Sequence, residues 1–316
     1  MRAMLPLRAV LQITACVALA VALVTAQRPE SQPSFSARSE LVILDVAVTD
    51  KRGGFVGGLP ADAFRVLEEG QPQKVAFFAE QDAPASIGLL IDASGSMLVS
   101  RDRMIASITS LAEASNPDDE FAPMMFNERV IPVLTSRSGF TSDPNELREA
   151  LTSNLAALGK TAFHDAVAQG IDRLGMGSHE RRVLIVLSDG GDNASRLTFD
   201  ELIKKVQSSN VVIYTIALID RLSPGYDPGA LRRLAKVTGG LAFEPPTRDD
   251  VSKAFRAIAA DIRSRYTLAY EPADTSSGKI KNVRVIVDAP HRQGLRVRTR
   301  TGYVAGSPGA AASTRQ

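Results

Sequence analysis

Between residues 41 and 80 apolar and polar positions alternate. In LVILDVAVTD (41–50), Val42, Leu44, Val46 and Val48 share one face at period two, which predicts a half-buried strand. AFRVLEEG begins a second strand at Phe64 and Val66, Glu69-Gly70 turns it, and KVAFFAE (74–80) returns. From about Ala85 the pattern changes to apolar runs alternating with amphipathic stretches. SIGLLID, EFAPMMFN paired with VIPVLT, RRVLIVLSDG, VVIYTIALI and a short LAFEP predict strands. Between them DRMIASITSLAEA, DPNELREALTSNL, TAFHDAVAQGIDRL, FDELIKKVQSS, PGALRRLAKVTGG and DDVSKAFRAIAADIRSR predict helices. Asp143 with Pro144 starts one of these helices, and Gly239-Gly240 ends another. Continuous apolar strands such as VLIVL imply a sheet covered on both faces, hence an α/β, doubly wound, mostly parallel sheet. After Arg265 period two returns in YTLAY, KNVRVIVDAP and LRVRTRTGYV.

Strands from both chain ends are expected to form a small β-sandwich flanking the α/β unit, because chain ends often meet in space. The expected partition is 1–26 a signal peptide, 27–39 a flexible linker, 40–83 N-terminal β-strands, 84–265 the α/β domain, 266–304 C-terminal β-strands, and 305–316 a disordered tail. The first segment combines the short basic MRAMLPLR, the apolar AVLQITACVALAVALVTA and a small-residue site ending at Ala26. Retention of residues 9–26 as a membrane anchor, or lipidation at Cys16, are the alternatives for the same stretch. Either way the expected location is exported, periplasmic or extracellular, with membrane contact only if that segment is retained or lipidated.

Composition narrows the chemistry. There is no Trp, aromatics make up 5% of the 316 residues, and the formal charge is only +2. A nucleic-acid surface is therefore not expected. Cys16 is the only cysteine, which excludes an intrachain disulfide and a thiolate metal site.

Polar residues gather where strands end. Asp92, Ser94 and Ser96 follow the first α/β strand, Thr161 opens a helix, and Asp189 ends the strongest strand. Singly, these are a cap, an N-cap and an Asp-Gly turn. Together they offer two carboxylates and three hydroxyls, hard oxygen donors suited to Mg²⁺, Mn²⁺ or Ca²⁺ rather than zinc. A set so rich in hydroxyls leaves the ion able to accept an outside carboxylate.

The order D-x-S-x-S, then Thr, then Asp resembles the von Willebrand factor type A (VWA) family and its metal-ion-dependent adhesion site. The resemblance covers roughly residues 84–265, including VTGG-x-x-F at 237–243. The flanking TDKRGGFVGGLPADAFRVLEEGQPQKVAFF and GLRVRTRTGYVA resemble a bacterial exported subgroup first noted in acidobacteria. The resemblance implies a divalent cation, Mg²⁺ foremost, held by Ser94, Ser96 and Thr161, with Asp92 and Asp189 close by or bound through water. It also implies a protein partner that offers a Glu or Asp to the open coordination position. Lys160, just before Thr161, reads as a solvated loop lysine or as a cation flanking the site.

Rival readings leave specific gaps. A Ser94–His164–Asp189 hydrolase lacks a G-x-S-x-G elbow, and His164 reads better as a packing residue. A Mg²⁺-dependent phosphotransferase using Asp92 would want a second acid where Ser94 stands. A purely structural metal would want a site closed by protein ligands. Catalysis is therefore not expected. Asp92→Ala is expected to abolish cation binding and leave the fold intact, since Asp92 ends a strand. Arg296, Arg298 and Arg300 on one face of LRVRTR read as a charged edge strand that discourages aggregation.

Overall fold

The computed structural model describes residues 40–80, 82–93, 101–154, 160–217, 225–247, 250–274, 278–290, 292–307 and 311–313. The predicted signal peptide and linker lie outside the described residues. The chain begins with β1 (Glu40–Thr49), β2 (Phe64–Glu68), β3 (Gln71–Gln73) and β4 (Val75–Glu80). The α/β series follows as β5 (Ala85–Asp92), α1 (Arg101–Glu113), β6 (Glu120–Phe126), β7 (Val130–Pro132), α2 (Pro144–Asn154) and α3 (Phe163–Leu174). It continues with β8 (Arg181–Ser188), α4 (Phe199–Gln207), β9 (Val212–Ala217), α5 (Pro228–Thr238), β10 (Ala242–Phe243) and α6 (Val251–Arg263). The chain then adds β11 (Arg265–Tyr270), β12 (Ile280–Val287), β13 (Arg296–Arg298), β14 (Gly302–Val304) and β15 (Ala311–Ser313). Among the described residues, no helix is long and apolar enough to cross a membrane.

The central sheet runs β10-β9-β8-β5-β6-β7, parallel except for the β6–β7 pair. Its strands are apolar on both faces because helices cover both. Ile87, Leu89 and Ile91 pack with Ile105 and Ile108 of α1, Leu147 of α2 and Ile258 of α6. Leu90, Leu184 and Val186 pack on the other face with Phe163 and Val167 of α3, Leu202 of α4 and Leu234 of α5. Local signals set the helix ends. A reciprocal capping box of Thr198 and Glu201 opens α4, and Gly239 closes α5 with a left-handed φ of 79°.

Strands from before and after this series form two further sheets, β13-β1-β11-β4 with β15 also on β1, and β14-β12-β2-β3. Val42, Leu44 and Val46 of β1 share a core with Phe64, Tyr266, Tyr270, Val285 and Tyr303. At its polar heart, Glu68 Oε2 accepts hydrogen bonds from the Tyr270 and Tyr303 hydroxyls at 2.6 and 2.8 Å. Burial, and then the bond to Glu68, push both phenols upward in pKa. Tyr303→Phe is expected to cost about 1–3 kcal/mol by leaving a buried carboxyl with one donor fewer. A lower urea midpoint at unchanged slope would show it, and an unchanged midpoint would refute it.

Three expectations give way here. LRVRTRTGYV is two strands, because the chain crosses between sheets after Arg298; β13 pairs with β1, and β14 with β12. Its arginines do not form a charged outer face. Arg298 reaches Asp261 and the Gly239 carbonyl, while Arg300 is 8% exposed and donates to the Gln207 carbonyl. Nor is 305–316 wholly without structure, since Ala311–Ser313 pairs with Glu40–Val42. A backbone ladder needs no apolar side chains, so an Ala-rich segment can fill an edge that β13 leaves open.

Candidate metal centre

In a parallel sheet the carboxyl ends of the strands gather loops at one edge, and the predicted donors map there. Asp92 is the last residue of β5 and only 1% exposed. Its Oδ2 accepts the Ser188 hydroxyl at 2.7 Å, and Ser188 ends the neighbouring parallel strand β8. The same hydroxyl accepts from the Gly190 amide at 3.1 Å. Asp92 is thus fixed against the loop that carries Asp189. This burial corrects the expectation that Asp92 stands clear of the core.

Thr161 does not cap the helix it precedes. Ala162 occupies the N-cap position of α3 and makes no side-chain cap bond. The free amides are capped from another loop instead: His164 donates to Asp192 Oδ2 at 3.0 Å and Asp165 donates to Ser195 Oγ at 3.1 Å. Asp165 returns the contact by accepting the amides of Arg196 and Leu197 at 3.0 Å. Thr161 itself is tied through its backbone, donating to Asn193 Oδ1 and accepting from the Asn193 amide, both at 2.9 Å.

Asp189 follows β8 directly and is half-buried. Its Oδ1 accepts the Gly191 amide at 2.8 Å, and its carbonyl accepts the Asp227 amide at 3.0 Å. Gly190 needs its φ of 81°, and a Cβ there would strike the Asp227 carbonyl oxygen. The β6 end joins the same edge, with Ala93 donating to the Phe126 carbonyl and Ala162 to the Asn127 carbonyl, each at 2.8 Å. The loops bearing Asp92, Thr161 and Asp189 are therefore laced together. Ser94 and Ser96 lie outside the described residues.

Oxygen chemistry fits a hard divalent ion. Among the described residues, no group of three or more His, Cys, Asp or Glu side chains could hold a metal, so a cation at this edge would depend on hydroxyl donors. The imidazole is already engaged, with His164 Nδ1 3.0 Å from the Leu197 carbonyl and 3.1 Å from Asp192 Oδ2. Burial opposes charge on Asp192, but bonds from Ser195 and His164 hold its carboxyl below the usual range. Lys160 is exposed, and its backbone amide donates to Glu128 Oε1 at 3.3 Å.

The family model of the von Willebrand factor type A domain matches residues 86–257, more than half of the chain. The chain belongs to this family. Solved structures similar to parts of the chain include three from other sources. A von Willebrand factor type A protein from Catenulispora acidiphila is 16% identical, with a TM-score of 0.49 over 86% of this chain and 74% of that one. The vWF domain of the type V pili tip protein Mfa5 from Porphyromonas gingivalis is 14% identical, with a TM-score of 0.47 over 58% and 96%. Proximal thread matrix protein 1 of the mussel byssus, with a zinc-occupied MIDAS motif, is 19% identical, with a TM-score of 0.48 over 62% and 49%. No curated protein matches in sequence.

Sequence reasoning missed the lacing of this VWA edge, namely Ser188, Asp192, Asn193 and Ser195. A signal was present in SDGGDNAS (188–195), a run too polar for a turn of two residues. Asp192 and Ser195 of this run cap α3, and Ser188 pins Asp92.

Proposed function

We propose that this VWA protein is an exported binding module that captures a protein partner through a divalent cation, Mg²⁺ foremost, and an acidic side chain of that partner. Ser94, Ser96 and Thr161 would hold the ion directly, with Asp92 and Asp189 contributing charge beside it or through water. When bound, the ion supplies a Lewis-acidic position for an incoming carboxylate. One observation carries the reading: Thr161 is half-buried at the laced edge, yet it is not used to cap α3. Binding rather than catalysis is supported by His164, whose Nδ1 is occupied by Leu197 and Asp192. Export is supported by the basic start, apolar run and small-residue site of residues 1–26.

Calorimetric titration with Mg²⁺, Mn²⁺ and Ca²⁺ tests the reading. Saturable one-to-one binding is expected, weakened about tenfold or more in Thr161→Ala while the thermal midpoint without metal stays close to wild type. If no metal binds with or without an acidic peptide present, the cation reading fails.

A further inference from the structure

The sandwich leaves part of one strand edge open. Glu69 donates its amide to the Asn282 carbonyl at 2.9 Å, and Asp288 donates to the Ala63 carbonyl at 2.8 Å. Along β12 the even-numbered residues therefore bond to β2, and the odd-numbered ones aim their amides and carbonyls the other way. β14 covers that second edge only at residues 280–282. The Val283 amide still reaches the Thr301 carbonyl at 3.0 Å, but the chain before Thr301 runs off to β13 in the other sheet. Among the described residues, no strand pairs with this edge at Val285 or Val287.

A cleft of about 490 Å³ opens there, between residues 283–287 of β12 and the chain from Leu295 to Thr301. The open edge is about 14 Å long, room for four or five residues of an extended chain. One side of the cleft is apolar, with half-buried Val287, Leu295 and Val297 packed on the sandwich core. The other side is cationic. Lys236, in the last turn of α5, and Arg284 are exposed on its wall, and neither forms an ion pair among the described residues. Arg298 is already paired with Asp261 and Arg300 is buried, so the accessible charge is that of Lys236 and Arg284. No carboxylate lines the cleft among the described residues.

We infer that this edge accepts an extended acidic peptide of a protein partner, added to β12 as a further strand where β14 ends. The peptide backbone meets the free amides and carbonyls of Val285 and Val287. Side chains alternate along such a strand. Those turned inward pack on Val287, Leu295 and Val297, and those turned outward stand beside Arg284. The site therefore selects alternating apolar and acidic residues, and it needs no metal.

The probe is a fluorescein-labelled hexapeptide alternating valine and glutamate. Its anisotropy is followed against the full chain in EDTA, which removes any ion that could capture a glutamate elsewhere. Saturable binding is expected, and none for the same peptide with lysine in place of glutamate or N-methylated throughout. Arg284→Glu and Lys236→Glu are each expected to weaken binding about tenfold or more, and Asp92→Asn to leave it unchanged. Should either charge reversal not fold, hydrogen exchange of the Val285 and Val287 amides decides, since the peptide should slow both in wild type. Absence of binding to wild type overturns the inference, as does equal binding of the lysine peptide. Slow exchange at Val285 and Val287 before peptide is added would mean that the chain itself or a second copy covers the edge, and overturns it as well. Binding lost in Asp92→Asn but kept in Arg284→Glu would place the peptide at the cation edge instead.

Discussion

Asp261→Ala is expected to destabilise the folded chain by about 3–5 kcal/mol, the range for stripping the partner from a buried charge. Asp261 projects from α6, where Oδ2 accepts from the Tyr214 hydroxyl at 2.5 Å and from Arg265 Nη2 at 2.7 Å. Arg298 adds Nη1 to Oδ2 at 3.3 Å and Nη2 to Oδ1. The Arg265 side chain is only 2% exposed, so alanine would leave it charged, buried and uncompensated. Both arginines also donate to the Gly239 carbonyl, at 2.7 and 2.8 Å, which ties the end of α5 into the same knot. One carboxylate thereby joins α6, β9, β11 and β13. Burial alone would raise its pKa, but Arg265, Arg298 and the bonds from Arg298 and Tyr214 prevail and hold it at about 2. Since the folded value lies below the unfolded one, the contribution is complete above about pH 5 and is lost as pH falls from about 4 through 2. It amounts to on the order of 2 kcal/mol. Urea unfolding of wild type and Asp261→Asn between pH 7 and 2 reads this directly, because the variant should lack that part of the acid loss. A cost below about 1 kcal/mol for Asp261→Ala at pH 7 would mean that the arginines find solvent or other acceptors instead.

Asp92→Asn is expected to lower divalent-cation affinity by about 10–100-fold, in line with losing an outer charge from a metal site. Asparagine retains an oxygen that can accept the Ser188 hydroxyl, so the β5–β8 link survives and folding changes little. Asp92→Ala removes that acceptor from a site 1% exposed and should also cost about 1–3 kcal/mol of stability. Comparing the two separates chemistry from folding. Both should lose cation affinity, and only the alanine should lower the urea midpoint markedly. Wild-type affinity in Asp92→Asn would remove Asp92 from the site and return it to a structural bond with Ser188.

Periodicity made the layers legible. Alternation marked β1, β2 and β12, and apolar runs marked β5, β8 and β9, because burial on one face or two leaves those patterns directly. The candidate donors could also be read, since local spacing places them after strands. Partners distant along the chain could not. Glu68 meets Tyr303 across 235 positions, and no local pattern announces a pair brought together by the stacking of two sheets. Period two placed Arg296, Arg298 and Arg300 on one face, but the regular strand stops at Arg298, so the alternation no longer describes where Arg300 points. Thr161 misled in the opposite way. Its position suits an N-cap, yet Asp192 and Ser195 reach the α3 amides from a different loop.

The α/β series departs from β4 and rejoins the sandwich at β11, and those two strands are antiparallel neighbours with Glu80 opposite Tyr266. Its two attachment points therefore stand about 5 Å apart. That is the geometry of a cassette: the chain leaves the host sheet and returns to it at neighbouring points of one ladder, so the spacing of its ends would let a unit of any size be inserted there.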